Sequence, residues 1–470
     1  MKNLFTVLFL VLSMSVFSQI TFENTYDNGS IDFGQSLLTL NDGYLICGAT
    51  YDDANGDFDI FATKVDLSGV VVWTNIYTSV GIGNDYATYM NETSDGNFVI
   101  TGTAYDPEFE DQDAFVLKIS GNGNELWVET YDGGDANEDG ANYIVEDAVG
   151  ALLVCGYATE GTEKKMWLLG LDQDGTKLGE RFYSLNGDDE ANCVIEFEDG
   201  SYALIGKSYD NVNGDYDGVL VRTDSEGNEI WSVFSIGTAD EEYNDFVIDA
   251  NGNYIITGSM EDEEFGDNDL LLMSVSNNGN ILNYSYTFDY QVGNDVAHRI
   301  YINNSDYFLA GSVEDVTNGD LDAYLAKINV ANGTIIGDEI YGGSYDDEFS
   351  DFGFTNDGGY ICVGYSMLNS TDSDVYLVKT DENGGVVSTP SVVTKNNISY
   401  YPNPANEFIS INTTTELQSF EIVDITGKIL LTGKLNNSQI NLSSIENGVY
   451  FIRFYDNKGI VKTEKLIINK

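Results

Sequence analysis

Residues 42–48 read DGYLICG, and the phrase returns as DGNFVITG at 95–102, DGSYALIG at 199–206, NGNYIITG at 251–258 and DGGYICVG at 357–364. Two looser copies, LLVCG at 152–156 and YFLAG at 307–311, complete the series. The closing glycines are Gly48, Gly102, Gly156, Gly206, Gly258, Gly311 and Gly364, spaced 54, 54, 50, 52, 53 and 53 residues apart. A fixed period of this length is the mark of a repeat architecture, in which each unit buries its apolar surface against the next. Seven copies fill residues 20–389 and leave no room there for a second domain.

Each copy holds four short stretches rich in Tyr, Phe, Ile and Val, separated by Gly, Asp and Asn turn signals. In the first copy they are FGQSLLTL, YLICGATY, DIFATKVD and VVWTNIY. The third and fourth are joined by D-x-x-G, as at Asp66 to Gly69, Asp172 to Gly175, Asp224 to Gly227 and Asp381 to Gly384, with Ser120 or Ser276 replacing the Asp. Such a turn closes a hairpin, because the Asp caps it and the Gly accepts a positive φ. Apolar residues on both faces of the third stretch (Ile60 and Ala62 against Phe61 and Val65) require packing on both sides. The fold expected is all-β, a seven-bladed β-propeller. The Gly-ended second strand and the Trp of the fourth (Trp73, Trp127, Trp231) loosely resemble kelch propellers, although the kelch Gly-Gly doublet is single here and four copies lack the Trp. Because the Trp strand belongs to the blade before it, the seventh blade ends at VYLVKTD (375–381), and ITFENTY (20–26) is expected to supply its outer strand.

Charge divides the chain. It has 470 residues, 78 Asp+Glu and 20 Lys+Arg, a net charge of -58, and 42% hydrophobic residues. That much apolar surface describes a folded acidic protein, and the charge removes nucleic acid and anionic membranes from the partner classes. Seven acids and seven bases lie in 396–470, and Lys2 lies in the leader, which leaves 71 acids and 12 bases for 19–395. In an antiparallel blade the loops after strands two and four share one face, here called upper, and those loops hold most of the acids. A D-x-D pair recurs at Asp57/Asp59, Asp111/Asp113, Asp215/Asp217, Asp267/Asp269, Asp320/Asp322 and Asp372/Asp374. Carboxylates in this density suit a hard cation, so calcium is the candidate cofactor; equally, Asp residues at such places cap loop amides. No full EF-hand loop occurs. The third copy departs from the pattern with EGTEKKM (160–166).

Five of the twelve bases share one repeat position, Lys64, Lys118, Arg222, Lys327 and Lys379, and are expected to snorkel beside the turn Asp of the following D-x-x-G. Cys47, Cys155 and Cys362 occupy equivalent strands and Cys193 another, too far apart to bridge, so buried free thiols are expected. His298 is the only histidine, which argues against Ser-His-Asp catalysis and histidine metal sites.

The two ends speak of export. MKNLFTVLFLVLSMSVFS (1–18) has one Lys and an apolar run too short to span a bilayer, and reads as a signal peptide. Pro390, Pro402 and Pro404 mark a junction, giving a propeller at 19–389, a linker at 390–399 and a last domain at 400–470. That last domain contains YPNPA (401–405), VDITGK (423–428), NGVYFIRF (447–454) and the basic end KTEKLIINK. It resembles the type A C-terminal sorting domain of the type IX secretion system of Bacteroidetes-type bacteria, a small Ig-like β-sandwich. On that resemblance the sorting motif comprises Tyr401, Pro402, Asn403, Pro404, Gly427, Lys428, Asn447, Gly448 and Tyr450. The resemblance implies recognition by the type IX machinery, removal of the domain, and a mature propeller attached to the outer membrane or released. The function expected is an extracellular binding propeller for a protein or glycan ligand; the alternative is a glycosidase-like hydrolase using carboxylates on the acidic face.

Overall fold

The computed structural model describes residues 19–470 except 79–82, 135–136, 236–237, 263–265, 289–292, 304–305, 316–318, 330–332, 387–398, 402–404, 407, 413–416, 424–427, 436–438, 456–459 and 469. The expected leader (1–18) and most of the expected linker therefore lie outside the described residues, among which there is no helix.

Seven antiparallel four-stranded sheets follow one another along the chain and form the blades of a β-propeller. Blade one is Asp32–Leu40, Gly43–Asp52, Asp57–Asp66 and Val71–Tyr77, from the axis outward. Strands two and three are buried on both faces because neighbouring blades pack on each side, as the two-sided apolar pattern requires. Leu45, Cys47 and Ile60 of blade one thus share a core with Ile100, Phe115 and Leu117 of blade two. Full burial of each such Leu, Ile or Phe side chain contributes about 1.5–3 kcal/mol. Outer strands leave Val71, Val72, Leu126, Leu178 and Ile230 exposed. The ring closes as the sequence anticipates: Phe22–Tyr26 pairs antiparallel with Asp372–Lys379, Phe22 opposite Lys379 and Tyr26 opposite Val375.

The recurring glycine of the signature has a purpose that the sequence does not spell out. Its backbone is not left-handed; instead, a Cβ on Gly48 would collide with the carbonyl oxygen of Phe33, and one on Gly102 with that of Tyr86. The same collision recurs at Gly156, Gly206, Gly258, Gly311 and Gly364 against the innermost strand of each blade. Opposite each glycine that strand carries a β-bulge, as between Gly34 and Ser36, Ala87 and Tyr89, or Ala297 and Arg299. A bulge brings the two backbones together, and only glycine leaves the room. The bulged residue then reaches the next blade: Asn142 Nδ2 donates to the Ala191 carbonyl (3.0 Å), Asn192 to Tyr243 (3.0 Å) and Asn244 to Ala297 (3.0 Å).

On the lower face the D-x-x-G turns are formed as read. Asp66 Oδ1 accepts from the Ser68 and Val70 amides, and Gly69 has φ +80. The repeated bases, however, pair elsewhere than expected. Lys64 meets Asp42 (2.8 Å), Lys118 meets Asp95 (2.9 Å) and Lys379 meets Asp357 (2.8 Å), while Arg222 and Lys327 lie near Asp199 and Asp306. The partner is the Asp at the head of the signature, in the turn between strands one and two, or for Lys327 the Asp that opens the second strand, because the third strand runs beside the second and the 66-type Asp is already committed to its own turn. All four cysteines are buried free thiols.

Contacts divide the chain after Ser391. The C-terminal unit has two sheets, one of Ser399–Tyr401, Phe408–Asn412 and Gln439–Asn441, the other of Ile429–Lys434, Ser419–Val423, Gly448–Tyr455 and Ile460–Ile468. They enclose Ile409, Ile422, Ile440, Ile452, Phe454 and Leu466, a small β-sandwich. Its first strand begins at Ser399, one residue inside the expected linker.

Candidate functional site

Two acidic regions stand out, one around the upper hairpins and one on the propeller axis. At the start of the innermost strands lie Asp32, Asp85, Asp139, Asp189, Glu241, Asp295 and Asp347, all buried. Several cap the loop that leads into their strand or pin the second strand: Asp139 accepts from the amides of Gly133 and Thr159, Asp85 from Tyr105 (3.0 Å), and Asp347 from Gly343 (2.7 Å). Burial pushes Asp85 up to about 7, aided by Asp59 and Asp57 and opposed by the Tyr105 amide.

The D-x-D pairs lie at the start of the third strands, and four of them have a further acid directly across the hairpin. Asp52 faces Asp57, Asp106 faces Asp111, Asp210 faces Asp215 and Asp315 faces Asp320. Since side chains alternate along a strand, the second Asp of each pair shares the face of the first. In blade two the carboxylates of Asp106, Asp111 and Asp113 each bring an oxygen within 4.8 Å of the others, and Asp27, Asp32 and Asp374 do the same between blades seven and one. Asp57 accepts from the Gly83 amide (3.0 Å), and Asp372 from Asn369 (3.4 Å). Asp59, Asp217, Asp267, Asp269 and Asp322 stand at the equivalent places of their hairpins. Burial, then Asp106 and Asp111, push Asp113 up to about 7. In blade three the positions are Glu160, Glu163 and Lys165, and Lys165 pairs with Glu160.

The axial region was not singled out by the sequence. The residue after each bulge is Ser36, Tyr89, Tyr143, Cys193, Asp245, Arg299 or Asp351, seven equivalent positions with five kinds of side chain. Several of these meet near the axis. Arg299 Nε lies 3.7 Å from Asp351 Oδ1, and the guanidinium lies over the Tyr89 ring at 4.9 Å, with Tyr143 stacked beside Tyr89 at 4.0 Å. Asp351 accepts from Ser36 Oγ (2.9 Å) and the Leu37 and Phe352 amides; Asp245 accepts from Cys193 Sγ (3.3 Å) and the Phe246 and Ile300 amides. Burial raises Asp351 to about 6 although Arg299 pulls it down. Beside this layer His298 Nε2 lies 3.3 Å from Glu348 Oε1. Asp351 is thus committed to Arg299, Ser36 and backbone amides, and Asp245 to Cys193 and backbone amides with the Arg299 charge nearby. Alignment of the repeats on their glycines would have placed these seven residues together, 12 or 13 positions earlier, but the bulge that turns them to the axis leaves no sequence signal.

In the C-terminal unit, Asn447 Oδ1 accepts the Lys470 amide (2.9 Å), and Tyr450 donates to the Glu446 carbonyl (3.0 Å) at the turn where Gly448 opens its strand. Lys428 precedes the strand Ile429–Lys434, and Tyr401 ends the first strand of the unit. Pro402, Asn403, Pro404 and Gly427 lie outside the described residues. Residues 399–469 match the family model described as secretion system C-terminal sorting domain. The C-terminal unit is a type IX sorting domain. It indicates export and a cell-surface or secreted location, with the type IX machinery as a partner. No curated protein matches the chain. Among solved structures it is similar to PorZ of Porphyromonas gingivalis, a surface component of the type IX system, at 12% identity and TM-score 0.41. That alignment covers 91% of this chain and 58% of PorZ. This chain is also similar to Sqt1 of Chaetomium thermophilum (10% identity, TM-score 0.44, covering 77% of this chain and 98% of that one) and to a periplasmic gluconolactonase of Pseudomonas aeruginosa (12%, 0.44, covering 71% and 88%).

Proposed function

We propose that the chain leaves the cell by the type IX route and acts outside it as a non-enzymatic binding propeller, whose acidic upper face receives a positively charged partner. The observation that supports this is the arrangement of the upper hairpins, which present near-equivalent acidic surfaces blade after blade. A repeated, single-sign surface attracts opposite charge over its whole width. A hydrolase would need a free carboxylate pair, and of the copy-specific pair Asp351 is occupied by Arg299, Ser36 and amides and Asp245 by Cys193 and amides. After removal of the sorting domain the propeller is attached to the outer membrane or released.

The test is binding of the purified full chain to arrays of basic polypeptides and of neutral and charged glycans, at low salt and at high salt, with a parallel glycosidase screen. Binding to cationic probes that weakens with salt supports the reading. Turnover of a glycoside that Asp245→Asn or Asp351→Asn abolishes, without loss of folding, replaces it by the hydrolase.

A further inference from the structure

We propose that the D-x4-D-x-D hairpins of the upper face are divalent-cation sites of calcium type, with Asp106, Asp111 and Asp113 of blade two as the defining set. The three carboxylates lie on one face of one hairpin, with an oxygen of each within 4.8 Å of the others. Two oxygens each about 2.4 Å from a calcium ion are at most about 4.8 Å apart, so one ion can touch all three.

Asp106 Oδ1 takes the Glu108 amide (2.6 Å), but independent of the clustering the two carboxylates on the third strand have no donor to receive them. Asp113 is 7% exposed and has no hydrogen-bond donor among the described residues, and Asp111 Oδ1 is sealed from solvent without a partner. In the equivalent hairpins Asp215 (7% exposed) and Asp320 (8%) have both carboxylate oxygens buried and unpartnered. Buried carboxylates without donors are costly, and like charges directly across a hairpin repel. An ion between them removes both penalties. Burial and the neighbouring acids raise Asp217 and Asp322 just as they raise Asp113, which shows the same crowding in three blades.

Blade three supplies an internal comparison. Lys165 stands opposite Ala158 as Asp113 stands opposite Ala104, and its ammonium pairs with Glu160, the counterpart of Asp106. The hairpin that lacks the third carboxylate brings its own cation. The sequence repeats Asp-x4-Asp-x-Asp at 52/57/59, 210/215/217, 262/267/269 and 315/320/322, so several ions per chain are expected. This inference goes beyond the binding role, because the sites would hold calcium whether or not the face receives a partner.

The experiment is calorimetric titration of the full chain with CaCl2, with melting curves in EDTA, in CaCl2, in MgCl2 and in NaCl of matched ionic strength. Expected are binding heat at more than one site per chain and a calcium-specific rise in Tm of at least about 3 °C. The double substitution Asp111→Asn/Asp113→Asn is expected to raise Tm in EDTA, by relieving repulsion, and to lower the calcium stoichiometry by one as counted by native mass spectrometry. Absence of heat, an equal rise in NaCl, or unchanged stoichiometry in a folded double variant would overturn the proposal. Partner binding measured in EDTA separates its failure from failure of the binding role.

Discussion

The phenol of Tyr26 donates to the carbonyl of Gly69 at 2.8 Å, joining the N-terminal strand to the lower turn of blade one. The same clasp links Tyr77 to Gly123, Tyr131 to Gly175, Tyr183 to Gly227 and Tyr341 to Gly384, at 2.6–2.8 Å. Each Tyr ends the outer strand of one blade and grips the D-x-x-G turn of the next. The first strand of the chain therefore behaves as the outer strand of the last blade in every respect, side chain included.

Closure predicts two graded losses. Tyr26→Phe leaves a buried carbonyl with one donor fewer and is expected to cost about 1 kcal/mol. Deletion of 19–27 removes the strand, its apolar contacts and the clasp together, and is expected to lower Tm far more. An unchanged melting curve after deletion would refute closure by this strand.

The signature glycines predict a contrast between Ala substitutions. Gly48→Ala drives a methyl into the Phe33 carbonyl and is expected to cost at least about 1–3 kcal/mol, as overpacking does. Gly179 sits in an outer strand with open space around its Cα, and Gly179→Ala is expected to be neutral or slightly stabilising. Urea unfolding of the two variants makes the comparison.

On the axis, Arg299→Met strands two buried carboxylates, Asp245 and Asp351. Breaking a buried ion pair from one side costs about 3–5 kcal/mol, and that range is expected here. Adding Asp351→Asn to the variant is expected to recover part of the loss, because it removes a charge that has lost its partner. A double-mutant cycle by chemical denaturation measures this coupling.

Stability should also depend on pH in an unusual sense for an acidic protein. Burial with Asp59 and Asp57 nearby brings Asp85 to about 7; burial with Asp217, Asp215 and Asp240 nearby brings Glu241 to about 7; Asp139 and Asp347 rise to about 6. A carboxyl whose folded pKa is raised keeps its proton over a range where the unfolded chain has already lost it. Its contribution is greatest below the unfolded value near 4 and is lost as pH rises through about 6 to 7. In EDTA, Tm is therefore expected to be higher at pH 5 than at pH 8, and calcium is expected to flatten that difference. A Tm that falls steadily from pH 8 to pH 5 contradicts it.

For export, a periplasm-directed reporter fused ahead of residues 390–470 is expected to reach the medium or cell surface in a strain with a working type IX system. The same fusion lacking 399–470 is expected to stay in the periplasm. Equal distribution of the two would count against the role of the sorting domain.

The repeat period, the strand count, the closing strand and the sorting domain were all readable, since each depends on local pattern: alternation, turn residues and spacing. The acidic hairpins were readable as a list of Asp residues. Their sharing of one face follows from the twofold alternation of a strand, but their burial does not, because it depends on how closely the next blade approaches. The lysine partners differ from the sequence expectation for a related reason. Proximity in sequence favoured Asp66 for Lys64, whereas the hairpin brings Asp42, 22 residues away, to 2.8 Å.

By itself the sequence determined the seven-fold repetition, the export domain and the concentration of negative charge in the propeller, because periodicity, motif and composition are properties of the chain. Tertiary structure alone decided the axial cluster of Arg299 with Asp245 and Asp351, the clash that makes Gly48 obligatory, and the burial of Asp113, Asp215 and Asp320 without partners. The reason is geometric. A bulge turns residues from separate blades toward one axis, and ring closure fixes how near those blades come, so residues more than fifty positions apart acquire each other as surroundings only when the circle is complete.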